Sequence, residues 1–191
     1  MKKTRFAIIS LSVMLIISVA WNIYNARREN LERQLFIYDT YWNLGNIKIT
    51  LDGLWSVTDI EQSRSAFEML AILFATQDTI IQQRKALFPY MPNLDTRGFL
   101  YISETLGSAY NKKNGVELNG ILRDSALSED ERLYLSILSS DIQVILDEMA
   151  SSDGNTANNK LSSAQINSIL SKFFNKWSLI NVDTPFLLLH S

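Results

Sequence analysis

The sequence predicts an all-α protein, with an N-terminal transmembrane or signal-anchor helix followed by a bundle of about four to five helices. Three observations carry this. An uncharged apolar stretch follows a short basic start; elsewhere apolar residues recur every three to four positions; and Pro (3) and Gly (7) are too scarce for the many corners of a β fold. The chain has 191 residues, so about 165 follow the apolar stretch, the size of one ordinary domain. With 47% apolar and 20% charged residues, that domain can build a core and is not disordered as a whole.

Residues 1–5 are a basic n-region, expected on the cytoplasmic side, carrying Lys2, Lys3 and Arg5. Residues 6–24, FAIISLSVMLIISVAWNIY, carry no charge. As a helix they reach about 28 Å, close to the hydrocarbon thickness of a bilayer. Trp21 and Tyr24 stand at the far end, where amphipathic rings favour the interface, and Arg27 and Arg28 follow. The membrane is therefore the first expected partner. A second reading is a cleaved signal peptide with Ser18-Val19-Ala20 as the cleavage site, which would leave a secreted protein. The anchor is preferred because the apolar run passes Ala20 and the helical pattern continues into the domain. The basic start resembles an export signal, so residues 25–191 are expected outside the cytoplasm, although Arg27, Arg28 and Arg33 leave only a narrow basic asymmetry. Only about five residues precede the anchor, so no cytoplasmic output of the chain's own is expected.

The first helix of the domain is expected over 25–54. Leu31, Leu35, Tyr38, Trp42 and Ile49 form its apolar stripe, widened by Phe36, Ile37, Tyr41 and Leu44. Joined to the anchor it makes one rod, loosened at Gly45. The second helix starts at Thr58, where Thr58-Asp-Ile-Glu61 reads as a capping box. Its stripe is Ile60, Phe67, Leu70, Phe74 and Ile81, and it ends before Phe88-Pro89. A shorter helix is expected over 95–110, then a turn at Asn111-Lys-Lys-Asn-Gly115. Residues 116–127 are ambiguous, with a helical turn around Leu118 to Leu122. The fourth helix starts at Ser128 with Glu131 as its box partner, and buries Leu135, Leu138, Ile142, Ile145 and Met149. Residues 151–160 read as a polar loop with no reason to pack. The fifth helix starts at Ser162 with Gln165, and buries Ile166, Leu170, Phe173, Trp177 and Ile180. The apolar tail FLLLHS is too short to span a bilayer, so it packs on the domain or meets a partner. Each stripe lasts about three turns, which suggests a short bundle rather than a long coiled coil. No internal repeat is visible.

Removing the three basic residues of the n-region leaves 15 basic against 20 acidic residues. Such a domain has no electrostatic footprint for nucleic acid, and no nucleic-acid partner is expected. Cysteine is absent, which excludes disulfides, thiolate chemistry and Cys-ligated metal. His190 is the only histidine and reads as a frayed terminal side chain. Asp153-Gly-Asn155 fails the calcium-loop pattern because Gly directly follows the first Asp. No cofactor, no metal site and no catalytic residue is assigned. Glu68 and Glu104 are the nearest approach to an acid/base pair, as an exported hydrolase would need. Glu68 is better read as solvated or paired with Arg64, four residues before it. Phe36, Tyr38, Tyr41 and Trp42 read first as core packing, but they point around much of the helix and cannot all face one core, so Tyr38, Tyr41 and Trp42 are the candidate interface residues, of which one or two would meet a partner or lipid headgroups. The functional expectation is a membrane-tethered interaction or accessory module binding another membrane or extracytoplasmic protein. The alternatives are a ligand-sensing bundle that signals through a membrane partner, or an exported hydrolase that depends on carboxylates.

Overall fold

The computed structural model describes residues 2–54, 59–84, 95–107, 111–113, 116–118, 120–123, 126–154, 156–179 and 184–190, with backbone alone at 2–9, 111–113, 116–118, 123 and 190. Its first element is one unbroken helix, α1, Lys2–Leu54. It runs through Gly45, so the expected loosening there does not occur. Four helices follow among the described residues: α2, Ile60–Gln83; α3, Gly98–Leu106; α4, Glu129–Met149; and α5, Ser163–Lys176. A two-stranded antiparallel hairpin, β1 Asn111–Lys113 and β2 Val116–Leu118, lies between α3 and α4. Asn111–Lys113, expected as the start of a turn, form a paired strand, and residues 114–115 of that turn lie outside the described residues. Short 3-10 turns occupy Ile121–Arg123 and Pro185–His190. The fold is helical, with the hairpin as its one strand pair among the described residues.

Helix starts follow local chemistry. Ser128 and Glu131 form a full capping box on α4, and Ser162 and Gln165 form one on α5. Each serine hydroxyl accepts from the N3 amide, and each N3 side chain accepts from the serine amide. On α2 the cap is Asp59, whose Oδ1 accepts from the Glu61 amide at 2.9 Å. Thr58, the expected cap, lies outside the described residues. Helix α3 is shorter than expected; it starts at Gly98, and residues 108–110 of the expected span lie outside the description.

The domain half of α1 packs on α2 and α4, while α3 packs on α2, and α4 on α5 and the C-terminal 3-10 turn. The stripes of α2 and α4 bury as expected. So does that of α5 through Trp177; Ile180 lies outside the described residues. Aromatic rings fill the centre. Phe99 stacks on Phe173 at 4.6 Å between centroids and meets Phe174 edge-on at 5.6 Å. Trp177 meets Tyr134 at 5.3 Å and Phe186 at 5.5 Å, both edge-on. Phe186 and Leu189 are buried, so the apolar tail packs on the domain. Gly98 is required by close approach: a Cβ there would lie 2.7 Å from the Trp177 carbonyl oxygen.

The segment 151–160 is more ordered than its composition suggests. Ala150 and Ala157 form an antiparallel bridge, Gly154 takes φ +72°, and Ala157 packs against the core. The positive φ is what closes the turn, and glycine adopts it without steric cost.

Helix α1 requires the main correction. The expected stripe of Leu31, Leu35, Tyr38, Trp42 and Ile49 faces outward, its members 45–74% exposed. The inward face carries Phe36, Ile37, Leu44, Ile47 and Leu51, all fully buried, together with Thr40 and Asn43. The two polar side chains are accommodated because α2 satisfies them. Asn43 Nδ2 donates to Gln77 Oε1 and to the Leu73 carbonyl, each at 3.0 Å, and Gln77 Nε2 donates to Thr40 Oγ1 at 3.3 Å. A buried amide with partners on both sides fixes how α1 lies on α2, because sliding the pair would orphan it.

Candidate functional site

Two surfaces of α1 offer something beyond packing. The first is the outward apolar stripe. It begins where nothing covers the helix: the large apolar side chains between Leu11 and Tyr24 are 48–68% exposed. Among the described residues no helix is long and apolar enough to cross a membrane. Trp21 and Tyr24 form a tilted pair at 6.1 Å, and Tyr38 and Trp42 another at 6.0 Å. Of the candidate interface residues, Tyr38 and Trp42 are exposed, whereas Tyr41 is half-buried and leans on the core. Phe36, weighed with them, is wholly inside.

The helix neighbours of this stripe are charged. Arg28 Nε donates to Glu32 Oε1 at 2.9 Å, and Arg84 from α2 donates to the Glu32 carbonyl at 2.8 Å while lying 3.9 Å from Asp39. Arg84 thus ties the start of the packed part of α1 to the end of α2.

The second surface is a polar groove where the C-terminal end of α1 meets α4. It is a shallow depression open to solvent, about 710 Å³, lined by Lys48, Asp52, Ser136, Ser139, Ser140, Gln143 and Val144. Ser139 Oγ donates to Asp52 Oδ1 at 2.9 Å, and Lys48 Nζ donates to the same oxygen at 2.6 Å. Ser139 is almost wholly buried while Asp52 is half-exposed. The carboxylate therefore joins two helices and keeps one side open to solvent. The described lining residues include no histidine, and a serine that donates to a carboxylate lacks the base a hydrolytic triad needs. The arrangement suits hydrogen bonding to a small polar molecule. Sequence reasoning missed it because Asp52 and Ser139 stand 87 residues apart; neither has a local signature.

The remaining candidates resolve separately. Glu68 is exposed on α2, and Arg64 pairs with Glu61 at 2.9 Å rather than with Glu68. Glu104 is half-buried on α3. His190 ends the last 3-10 turn, its side chain outside the described residues. No group of three metal-ligating side chains occurs among the described residues. Two tyrosines in the core are shifted upward: burial, with Asp95 adding to it, raises Tyr101 to about 12, and burial also raises Tyr134, whose hydroxyl meets Thr105 Oγ1 at 2.8 Å. Both support the core and neither lines the groove. No known protein family, curated protein or solved structure matches this chain.

Proposed function

We propose that this protein is a membrane-tethered helical docking module. Residues 6–24 hold it in the bilayer, and residues 25–191 stand outside the cytoplasm as an accessory domain for another membrane or extracytoplasmic protein. One observation carries the reading: α1 is a single helix whose first part has no cover and whose second part is built into the domain core. A helix apolar around its circumference is buried in something, and its own domain leaves residues 11–24 bare. Helical continuity through Ala20 favours retention over cleavage there, since the peptide bond is part of a hydrogen-bonded helix.

Carbonate washing of membranes, a C-terminal compartment reporter and N-terminal sequencing of the mature chain test this together. The expected result is a wash-resistant protein, an active outside reporter and a start before Phe6. A soluble protein, or one starting at Trp21, overturns the anchor.

The polar groove favours a second reading, in which the domain senses a small polar ligand and passes the signal through its membrane partner. What favours it is the Lys48–Asp52–Ser139 hydrogen-bonded set, whose carboxylate keeps one side open to solvent. A ligand panel that stabilises the full chain, with the gain lost in Lys48→Ala, supports it. A panel without a Lys48-dependent stabiliser removes it.

A further inference from the structure

We infer that the outward face of α1 docks on α1 of a second copy, forming a parallel two-stranded coiled coil over residues 21–49. The proposal rests on the membrane-tethered reading and names the occupant of its docking surface.

The spacing makes the case for a coiled coil. Trp21, Tyr24, Arg28, Leu31 and Leu35 start a 3,4 alternation that Tyr38, Trp42, Gly45 and Ile49 continue without a slip. Trp21, Arg28, Leu35, Trp42 and Ile49 hold the a positions of consecutive heptads, with Tyr24, Leu31, Tyr38 and Gly45 at d. Seven of these nine are large apolar or aromatic residues, and all seven are exposed. A strict a/d stripe is the narrow seam of a coiled coil, whereas a helix packed on a globular core carries a broader band. The inward face shows the contrast. Phe36, Ile37, Thr40, Leu44 and Ile47 occupy b, c and f positions, opposite the seam, and the domain has already buried them. One helix thus carries two apolar faces, one served by its own chain.

The flanks select a second copy in parallel. In a parallel pair each g residue meets the e residue five positions on in its partner. Arg27 at g then meets Glu32 at e, and Gln34 meets Asp39. An antiparallel pair centred on the same stripe would set the acidic e positions, Glu32 and Asp39, against each other. The parallel arrangement is isologous, since one patch serves both chains. It is also the orientation that two chains anchored through residues 6–24 present to each other.

Length and imperfections agree with this. Residues 21–49 extend about 42 Å, four heptads, the run that distinguishes a coiled coil from chance periodicity. Arg28 is a charge at an a position, which costs stability and fixes register. It enters the seam already paired with Glu32. Gly45 supplies no side chain at its d position between Trp42 and Ile49. The seam is therefore weaker than an ideal zipper, and confinement of both copies to one membrane supplies the effective concentration it needs.

The chain contains no cysteine, so single cysteines report cleanly in the full-length protein in its own membrane. Leu31→Cys, Leu35→Cys, Tyr38→Cys and Trp42→Cys are expected to form same-residue covalent dimers at least about tenfold faster than Glu29→Cys, Asn30→Cys and Asn46→Cys, exposed off the seam at the two ends of this run. The cysteine-free parent in mild detergent is expected at dimer mass, and Leu35→Asp at monomer mass with unchanged helix content. Equal cross-linking around the helix, a monomeric parent, or capture of a different protein at the seam overturns the inference. The two readings fail separately: a wash-resistant, outward-facing protein without seam cross-links overturns only the coiled coil, whereas a soluble protein overturns the tether.

Discussion

Trp177 and Trp42 each sit on an apolar stripe, and the protein treats them in opposite ways. Trp177 is fully enclosed, with Tyr134, Phe173 and Phe186 around its ring and its Nε1 donating to Asp141 at 2.8 Å. Trp42 is 54% exposed, and its aromatic neighbour Tyr38 belongs to the same helix. Apolar periodicity marks a face that wants cover; it does not say whose surface provides it. What separates the two is the company of other elements. Four segments converge on Trp177, and the carboxylate that holds its indole also holds Lys176 at 2.9 Å.

The largest expected effect lies on the enclosed side. Trp177→Ala removes the centre of the aromatic cluster and is expected to destabilise the domain by about 3–5 kcal/mol, read from chemical denaturation. Trp42→Ala is expected within about 0.5 kcal/mol of the parent in the same measurement. A comparable loss at Trp42 that persists in the monomeric Leu35→Asp background would mean that the outward stripe supports the domain itself.

That contrast explains which parts of the fold were legible in the sequence. The stripes of α2 and α4, most of that of α5, and the two serine capping boxes were readable because each of these helices has one apolar side and a cap set by residues three apart. Helix α1 was misread because it has two. Its inward face includes Thr40 and Asn43, while its outward face carries Leu31, Leu35 and Trp42, so a hydropathy argument chooses the wrong one. Gln77, some 34 residues further on, makes the polar choice tolerable. Three-residue strands are too short for a period-two signal, which hid the hairpin, and the groove at Asp52 exists only once α4 returns to α1. Tyr38 and Trp42 were placed on the expected apolar stripe, and nothing local in the sequence separated these exposed rings from half-buried Tyr41.

Next in size is an alkaline transition confined to the enclosed side. Tyr101 is raised from 10.0 to about 12 and Tyr134 is raised in the same direction, both chiefly by burial. In the folded chain both keep their protons longer than in the unfolded chain. Their contribution is therefore complete below pH 10 and is lost as pH rises towards 12. The melting temperature is expected to fall through that window, and Tyr101→Phe to fall less steeply. An unaltered slope in Tyr101→Phe would assign the transition elsewhere.

Gly98→Ala probes the closest approach behind Trp177. The added methyl meets a backbone carbonyl at 2.7 Å, which cannot move without displacing the end of α5. The expected cost is about 1–3 kcal/mol, with near-ultraviolet dichroism of the aromatic cluster altered. A neutral result would show that α3 and α5 separate freely. Ser128→Ala is smaller, at about 1 kcal/mol, because it removes one acceptor from the start of α4 and leaves the rest of that helix packed.

The smallest expected effect tests the outward face most directly. Gly45 lies inside α1, where glycine costs about 0.5–1 kcal/mol relative to alanine. A Cβ there meets nothing within 4 Å in the single chain, so Gly45→Ala is expected to stabilise the domain by that amount. In a coiled coil the same position is a d site, where a leucine ordinarily fits. An added methyl would partly fill the gap between Trp42 and Ile49, and cross-linking through Leu35→Cys should rise with stability. If stability rises while cross-linking falls, the two helices approach at Gly45 more closely than knobs-into-holes packing allows, and the contact is a glycine-centred crossing instead. If neither changes, the helix propensity gain is being cancelled within the chain, and the outward face has contacts of its own.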